Sequence, residues 1–277
     1  MTHLPASRED RRFAVVRRPD DIRDKRAWGR EMRRTLALLA CLTLTQPALA
    51  GPGDLERVIL AGDDATLALL LDDGADPDEQ ADLGTALHAA AVKDDVVAAR
   101  LLLEHGAKVD GRRDGYATTP LHTAASYGNA AVAALLLERG ADIEAEDLAG
   151  RTALVRAVEF AHGAVVDLLL TQGANPNARS TEDGGSVLTL AAMSGSLPLA
   201  RQLLDHGAAV DSVYIETLSP IVEAARSGQA ELVALLLERG ADPNSRDSYF
   251  DTPLAAALAG GHRDVADLLR RAGAHPP

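Results

Sequence analysis

A Gly-Ala pair recurs along this chain at Gly74, Gly106, Gly140, Gly173, Gly207, Gly240 and Gly273, at intervals of 32, 34, 33, 34, 33 and 33 residues. A period near 33 means an array of small units, none of which can bury its apolar face without a neighbour. A hydroxyl residue stands 21 residues upstream of six of these glycines, at Thr85, Thr119, Thr152, Ser186, Ser219 and Thr252, and Gly53 holds that place in a degenerate first unit. From each glycine forward to the next hydroxyl the distance varies between 11 and 13 residues. Length variation is therefore confined to one connector, and the body between hydroxyl and glycine is the fixed structural piece.

The body reads as two helices. A Ser or Thr ahead of Pro or a small residue is a helix start, because its oxygen accepts an orphan backbone N–H and Pro fits the first turn. Thr119-Pro120, Ser219-Pro220 and Thr252-Pro253 show it most clearly. An aliphatic residue follows two places on, and usually an alanine at the fifth, as at Ala90, Ala124, Ala157, Ala191, Ala224 and Ala257, where small size permits close helix approach. Gly128, Gly195, Gly228 and Gly261 then mark a break suited to left-handed backbone. The second helix carries leucine at the seventeenth position in all seven units: Leu70, Leu102, Leu136, Leu169, Leu203, Leu236 and Leu269. At the next position six leucines give way to Arg270 in the last unit, the polar face expected of a terminal cap.

Thr119-Pro120-Leu121-His122-Thr123-Ala124, with Leu136-Leu137 and Gly140-Ala141-Asp142 downstream, resembles an ankyrin repeat, whose signature is T-P-L-H-x-A. The resemblance spans residues 53 to 277 in seven tandem copies, with departures at Thr85-Ala86-Leu87-His88 and Ser186-Val187-Leu188-Thr189. It implies an all-α solenoid of about seven helix-turn-helix units joined by hairpin-like connectors. It further implies that these connectors form fingers which, with the first helices, line a concave binding surface, and that His88 and His122 hydrogen-bond neighbouring loops.

Charge bounds the partners, and the N-terminal residues lead us to expect export. The formal charge is −13, but residues 1–50 hold 11 Lys and Arg against 6 Asp and Glu, so the body carries 17 basic and 35 acidic residues. Such a surface repels nucleic acid and anionic lipid and favours a basic protein partner. Arg33-Arg34, the apolar run from Thr35 to Thr45 and Ala48-Leu49-Ala50 follow the basic, apolar and small-residue order of a secretory signal cleaved before Gly51. Residues 1–50 are thus expected to be an N-terminal extension and signal peptide, with Met32 as the true start, and residues 51–277 the repeat domain, periplasmic or secreted. A retained anchor, or a lipoprotein formed at the sole cysteine, Cys41, fits these residues less well.

Candidate chemistry is sparse. His162 and His262 share a turn position with Asp95, Asn129, Ser196 and Gln229, so no chemistry particular to histidine repeats there. His105 and His206 precede the glycine caps, where a solvated helix end explains them. Asp76, Asp142 and Asp242 follow the Gly-Ala pairs as turn residues, and the Gly184-Gly185 pair reads as a turn. No phosphate loop, nucleophile elbow or paired metal ligands occur, so no catalytic residue, cofactor or metal is expected.

Six aromatic residues follow Gly51, and none lies in the leucine layer. Tyr116, Tyr214, Tyr249 and Phe250 fall in connectors, while Tyr127 and Phe160 stand eight residues after the hydroxyl in adjacent units. These six are the expected partner-binding residues, because exposed rings bury much area at low entropy cost. The expected function is a monomeric, non-catalytic protein-binding module of the bacterial periplasm. Support of an exported oxidative-stress enzyme and immunity against an envelope-targeted toxin are its two settings, a self-associating scaffold is the structural alternative, and a carboxylate-dependent hydrolase is the enzymatic rival.

Overall fold

A computed structural model of the protein describes residues 53–179, 185–211, 218–247 and 251–276. The described residues fold as helix pairs in chain order: α1 (Asp54–Ala61) with α2 (Asp64–Asp72), α3 (Ala86–Lys93) with α4 (Val96–Glu104), and α5 (Pro120–Tyr127) with α6 (Ala130–Glu138). There follow α7 (Ala153–Glu159) with α8 (Gly163–Thr171), α9 (Val187–Met193) with α10 (Leu197–Asp205), α11 (Pro220–Arg226) with α12 (Ala230–Glu238), and α13 (Pro253–Ala259) with α14 (Arg263–Arg271). First helices pack on first helices and second on second, which is the layered all-α solenoid the periodicity demands.

The capping chemistry is local. The side chains of Thr119, Thr152, Ser186 and Thr252 each accept the amide three residues on. Ser219 departs from the expectation: it makes no such bond, and its Oγ lies 3.5 Å from Ser245 Oγ in the next connector, so Pro220 alone preorganises that start. At the far end of the first helix Gly128 has φ +76°, and a Cβ there would meet His162 Nδ1 at 2.5 Å. Only glycine lets the next repeat's His162 ring lie across this turn, where its Nε2 donates to Ser126 O at 3.0 Å. Ala161 holds the equivalent left-handed position at φ 58°, a conformation costing a side chain roughly 1–2 kcal/mol.

Burial follows the repeat. Leu102, Leu136, Leu169, Leu203, Leu236 and Leu269 are fully buried, as are the fifth-position alanines. Leu70 is the exception to the expected layer: it is half-buried, while Leu67 and Leu71 are buried and Leu69 is 65% exposed. The reason is that no described repeat precedes the first one, so its outer side lacks the neighbour that buries Leu135 and Leu235. At the other end Arg270 is exposed and pairs with Asp267 at 2.9 Å, as a polar cap should.

Among the described residues the connectors contain no strands, only isolated bridges at Ala81–Gly84 and Arg179–Ser186. The fully described fingers nevertheless double back, as where Asp147 N–H donates to Arg151 O at 3.0 Å and Arg113 N–H to Thr118 O at 2.9 Å. A staple joins every finger to the next. The residue four places after each glycine, namely Asp78, Asp110, Glu144, Asn177, Asp211 and Asn244, accepts a backbone amide of the following connector, at Lys108, Asp142, Asn175, Ala209, Asp242 and His275. These bonds fix finger spacing without burying apolar area, each worth about 0.5–1.5 kcal/mol.

Candidate functional site

The repeat fixes which residues share one face. Finger and first-helix residues come together, as the finger residue Asp147 and the helix residue Arg156 show with a 2.7 Å ion pair. Asp147 is the most organised carboxylate here. Its Oδ1 accepts Ala149 N–H at 2.8 Å and Arg151 N–H at 3.1 Å, and its Oδ2 takes Arg156 Nη2 and, at 3.2 Å, Arg151 Nε. Burial works against the charge, but these amides and guanidiniums prevail and hold the carboxyl below the usual range. Glu159 lies 3.8 Å from both arginines and completes the cluster. Asp147 is thereby kept ionised and fully engaged, a brace for the finger and no proton donor at neutral pH.

His88 and His122 also turn inward. His88 Nε2 donates to Thr118 O at 3.0 Å and His122 Nε2 to Arg151 O at 2.9 Å, while each Nδ1 accepts the amide of its own Thr85 or Thr119 at 3.2 Å. Burial lowers both pKa values, that of His88 to about 4. Thr189 replaces histidine at this position and reaches Leu218 O at 3.2 Å, so the place calls for a donor and not for an imidazole. The turn position behaves likewise: Asn129 Nδ2 donates to Ala91 O at 2.7 Å as His162 does to Ser126 O. Asp76, Asp142 and Asp242 accept the amide two residues on, as turn residues. Among the described residues no group of three or more His, Cys, Asp or Glu side chains could hold a metal ion.

The expected binding residues divide three ways. Tyr116 is on a finger, 55% exposed, with the Arg113 guanidinium 4.7 Å from its ring centroid. Tyr127 and Phe160 sit at the ends of α5 and α7, which pack side by side, and both are half-buried. Phe160 stacks on His162 at 6.4 Å, and burial raises the Tyr127 hydroxyl pKa against the opposing charge of Arg113. Arg113 thus acts on Tyr116 and Tyr127 together. Tyr214, Tyr249 and Phe250 lie outside the described residues. The sequence reading missed Leu148, 73% exposed on the finger next to Tyr116, and the brace around Asp147. A usable signal existed for Leu148, because the same finger position, eight residues after the glycine, holds Asp82 and Asp114 in the two preceding units.

A family model described as ankyrin repeats matches residues 55–147, 118–180, 154–247 and 188–277. The ankyrin repeat domain of Bcl-3, described as a member of the IkappaB protein family, superposes with a TM-score of 0.71 at 30% identity, covering 80% of this chain and 98% of that one. An ankyrin repeat domain from Acinetobacter baumannii AYE gives 0.63 at 31% identity over 68% of this chain and 98% of the other. A segment of 58 residues is 40% identical to the ankyrin repeat and KH domain-containing protein mask-1 of Caenorhabditis elegans; it is 21% of this chain and spans only 2% of that protein.

Proposed function

Because the chain belongs to the ankyrin-repeat family, whose repeats imply a protein–protein interaction module, we propose that it acts as a single copy in the bacterial periplasm, holding a protein partner against its fingers and first helices. The observation that carries this reading is the division of labour along the repeat. The leucine layer is monotonous and buried, so it specifies stacking alone, whereas Tyr116, Tyr127 and Phe160 gather on the finger and first-helix face and vary from unit to unit. Aromatic side chains partly buried by their own repeat are already held in place, so binding them costs little further order. The expected result is that Tyr127→Ala with Phe160→Ala weakens partner binding by more than about 2 kcal/mol, the scale of interface hot spots, while destabilising the fold less than a leucine-layer substitution does. Calorimetry with the protein retained by a tagged chain from envelope extract, alongside urea melts, separates the two effects. Unchanged affinity places the partner on another face.

Export rests on Arg33-Arg34, the apolar run and Ala48-Leu49-Ala50. No described helix is long and apolar enough to cross a membrane. N-terminal sequencing of the exported protein is expected to begin at Gly51, and an intact N-terminal region in the cytoplasm overturns the proposal. The acidic body favours a basic partner and is the ground for the second reading, an immunity protein that occludes a basic envelope-targeted toxin. The ankyrin fold is typically non-catalytic, and the engaged, ionised Asp147 offers a hydrolase no general acid.

A further inference from the structure

Resting on the reading of this face as a protein-binding surface, we infer that the adjacent finger tips bearing Tyr116 and Leu148 are an anchor for a large apolar side chain flanked by lysine or arginine in the partner protein. Among the described residues five large hydrophobic side chains are exposed, and these two stand together, the Leu148 amide donating to Tyr116 O at 3.2 Å. Leu148 is not needed to build its own turn. The turn is closed by Asp147, whose side chain takes the amides of Ala149 and Arg151 and whose carbonyl takes Gly150 N–H at 2.9 Å, and the corresponding positions in the two preceding units hold aspartate, Asp82 and Asp114. A lone exposed leucine would need no explanation, but Leu148 and Tyr116 side by side make a contiguous apolar patch on a surface that does not need it for folding.

The pair is also preorganised. Arg112 Nη1 donates to Ala117 O at 3.0 Å and across to Glu146 O at 2.8 Å, tying the two fingers together, and Arg113 Nη2 reaches Asp82 O at 2.7 Å on the finger before them. Ala117 is held at φ 54°, a left-handed conformation that a side chain rarely adopts and that these neighbours over-determine. Little loop entropy remains to be lost on binding.

Charge selects the partner. Arg112, Arg113 and Arg151 on these fingers are engaged with carbonyls or with Asp147, whereas the exposed Asp114 and Glu146 beside the apolar pair have no ion-pair partner among the described residues. Bonding to carbonyls leaves Arg112 and Arg113 charged, but the two fingers, residues 107–118 and 141–151, hold six Asp and Glu against four Lys and Arg, so the field there is net negative and favours cations around the inserted apolar group.

The test is selection of random phage-displayed peptides on the immobilised full chain, followed by fluorescence anisotropy of the enriched peptides. Enriched peptides are expected to carry Leu, Phe or Trp between lysines or arginines, and to bind at least tenfold more weakly to a Leu148→Asp chain of unchanged circular dichroism. Asp114→Lys with Glu146→Lys should remove the preference for basic flanks. Acidic flanks, no consensus, or binding untouched by Leu148→Asp combined with Tyr116→Ala overturns the inference. If Tyr127→Ala with Phe160→Ala abolishes binding that the Leu148 variant retains, the finger-tip assignment falls while protein binding by this face stands. If neither variant alters binding, both fall.

Discussion

Leu136→Ala lowers the stability of the repeat stack by about 2–5 kcal/mol, the cost expected for removing most of a buried leucine and leaving a cavity behind. Leu136 is fully inaccessible in α6, and its neighbours in the layer, Leu102 and Leu169, are inaccessible too. The helices around it are short and individually unstable, so their order comes from packing and has little other support. Leu69 supplies the internal contrast. It lies on α2, a second helix like α6, but is 65% exposed, so Leu69→Ala stays within about 0.5 kcal/mol. Urea titration of both variants checks the pair. A cost below about 1 kcal/mol for Leu136→Ala would mean that the layer does not bear the stack's stability.

That contrast also marks what could be read from the sequence. Glycine turns, hydroxyl starts and the leucine layer were legible because the same residue returns at the same offset, and the stack uses each copy in the same way. Leu70 was misjudged because pattern reports the repeat and not its neighbour: among the described residues no repeat packs on the outer side of the first unit, and its layer residue is half-buried. Ser219 looked like its counterparts and yet lacks the cap bond, its Oγ lying 3.5 Å from Ser245 Oγ in the next connector, a contact that the hydroxyl pattern does not announce. The finger staples went unseen although their position is fixed four residues after every glycine. Aspartate, glutamate and asparagine interchange there, since the bond asks only for an acceptor, and a search for recurring identity passes over it.

The binding face was legible in part, for a related reason. Aromatic residues outside the leucine layer stand out in a chain with so few of them, so Tyr116, Tyr127 and Phe160 could be placed on finger and first-helix positions. Their burial could not be read, because it depends on how neighbouring repeats pack: Tyr127 and Phe160 are half-buried at the ends of α5 and α7, whereas Tyr116 is 55% exposed on its finger. Leu148 was hidden by its type: in a leucine-rich chain another leucine reads as core. What distinguishes it is the position, occupied by aspartate in the two preceding units, together with a turn that closes without it.

Acidification destabilises this protein through His88. In the folded chain burial holds the imidazole neutral with its pKa lowered from 6.5 to about 4, while the unfolded chain titrates near the ordinary value. The bonding explains why: Nε2–H is committed to Thr118 O, which leaves Nδ1 as the acceptor of the Thr85 amide, and a second proton would turn that acceptor into a donor facing a donor. The unfolded state therefore binds the proton first as pH falls. Stability contributed by neutral His88 is complete above about pH 6.5, declines as pH drops, and is lost by about pH 4, a total of roughly 3 kcal/mol. His122, lowered in the same direction by burial, adds to the loss in the same sense. Thr189 indicates the control, since it occupies the equivalent place and reaches the next finger's carbonyl without a titrating group. His88→Thr should consequently lose less stability than the unaltered chain between pH 7 and about pH 4.5, read as the difference of urea midpoints, because the carboxylates that also titrate there are common to both. Equal losses in the two proteins would show that His88 takes up its proton without breaking the finger contact.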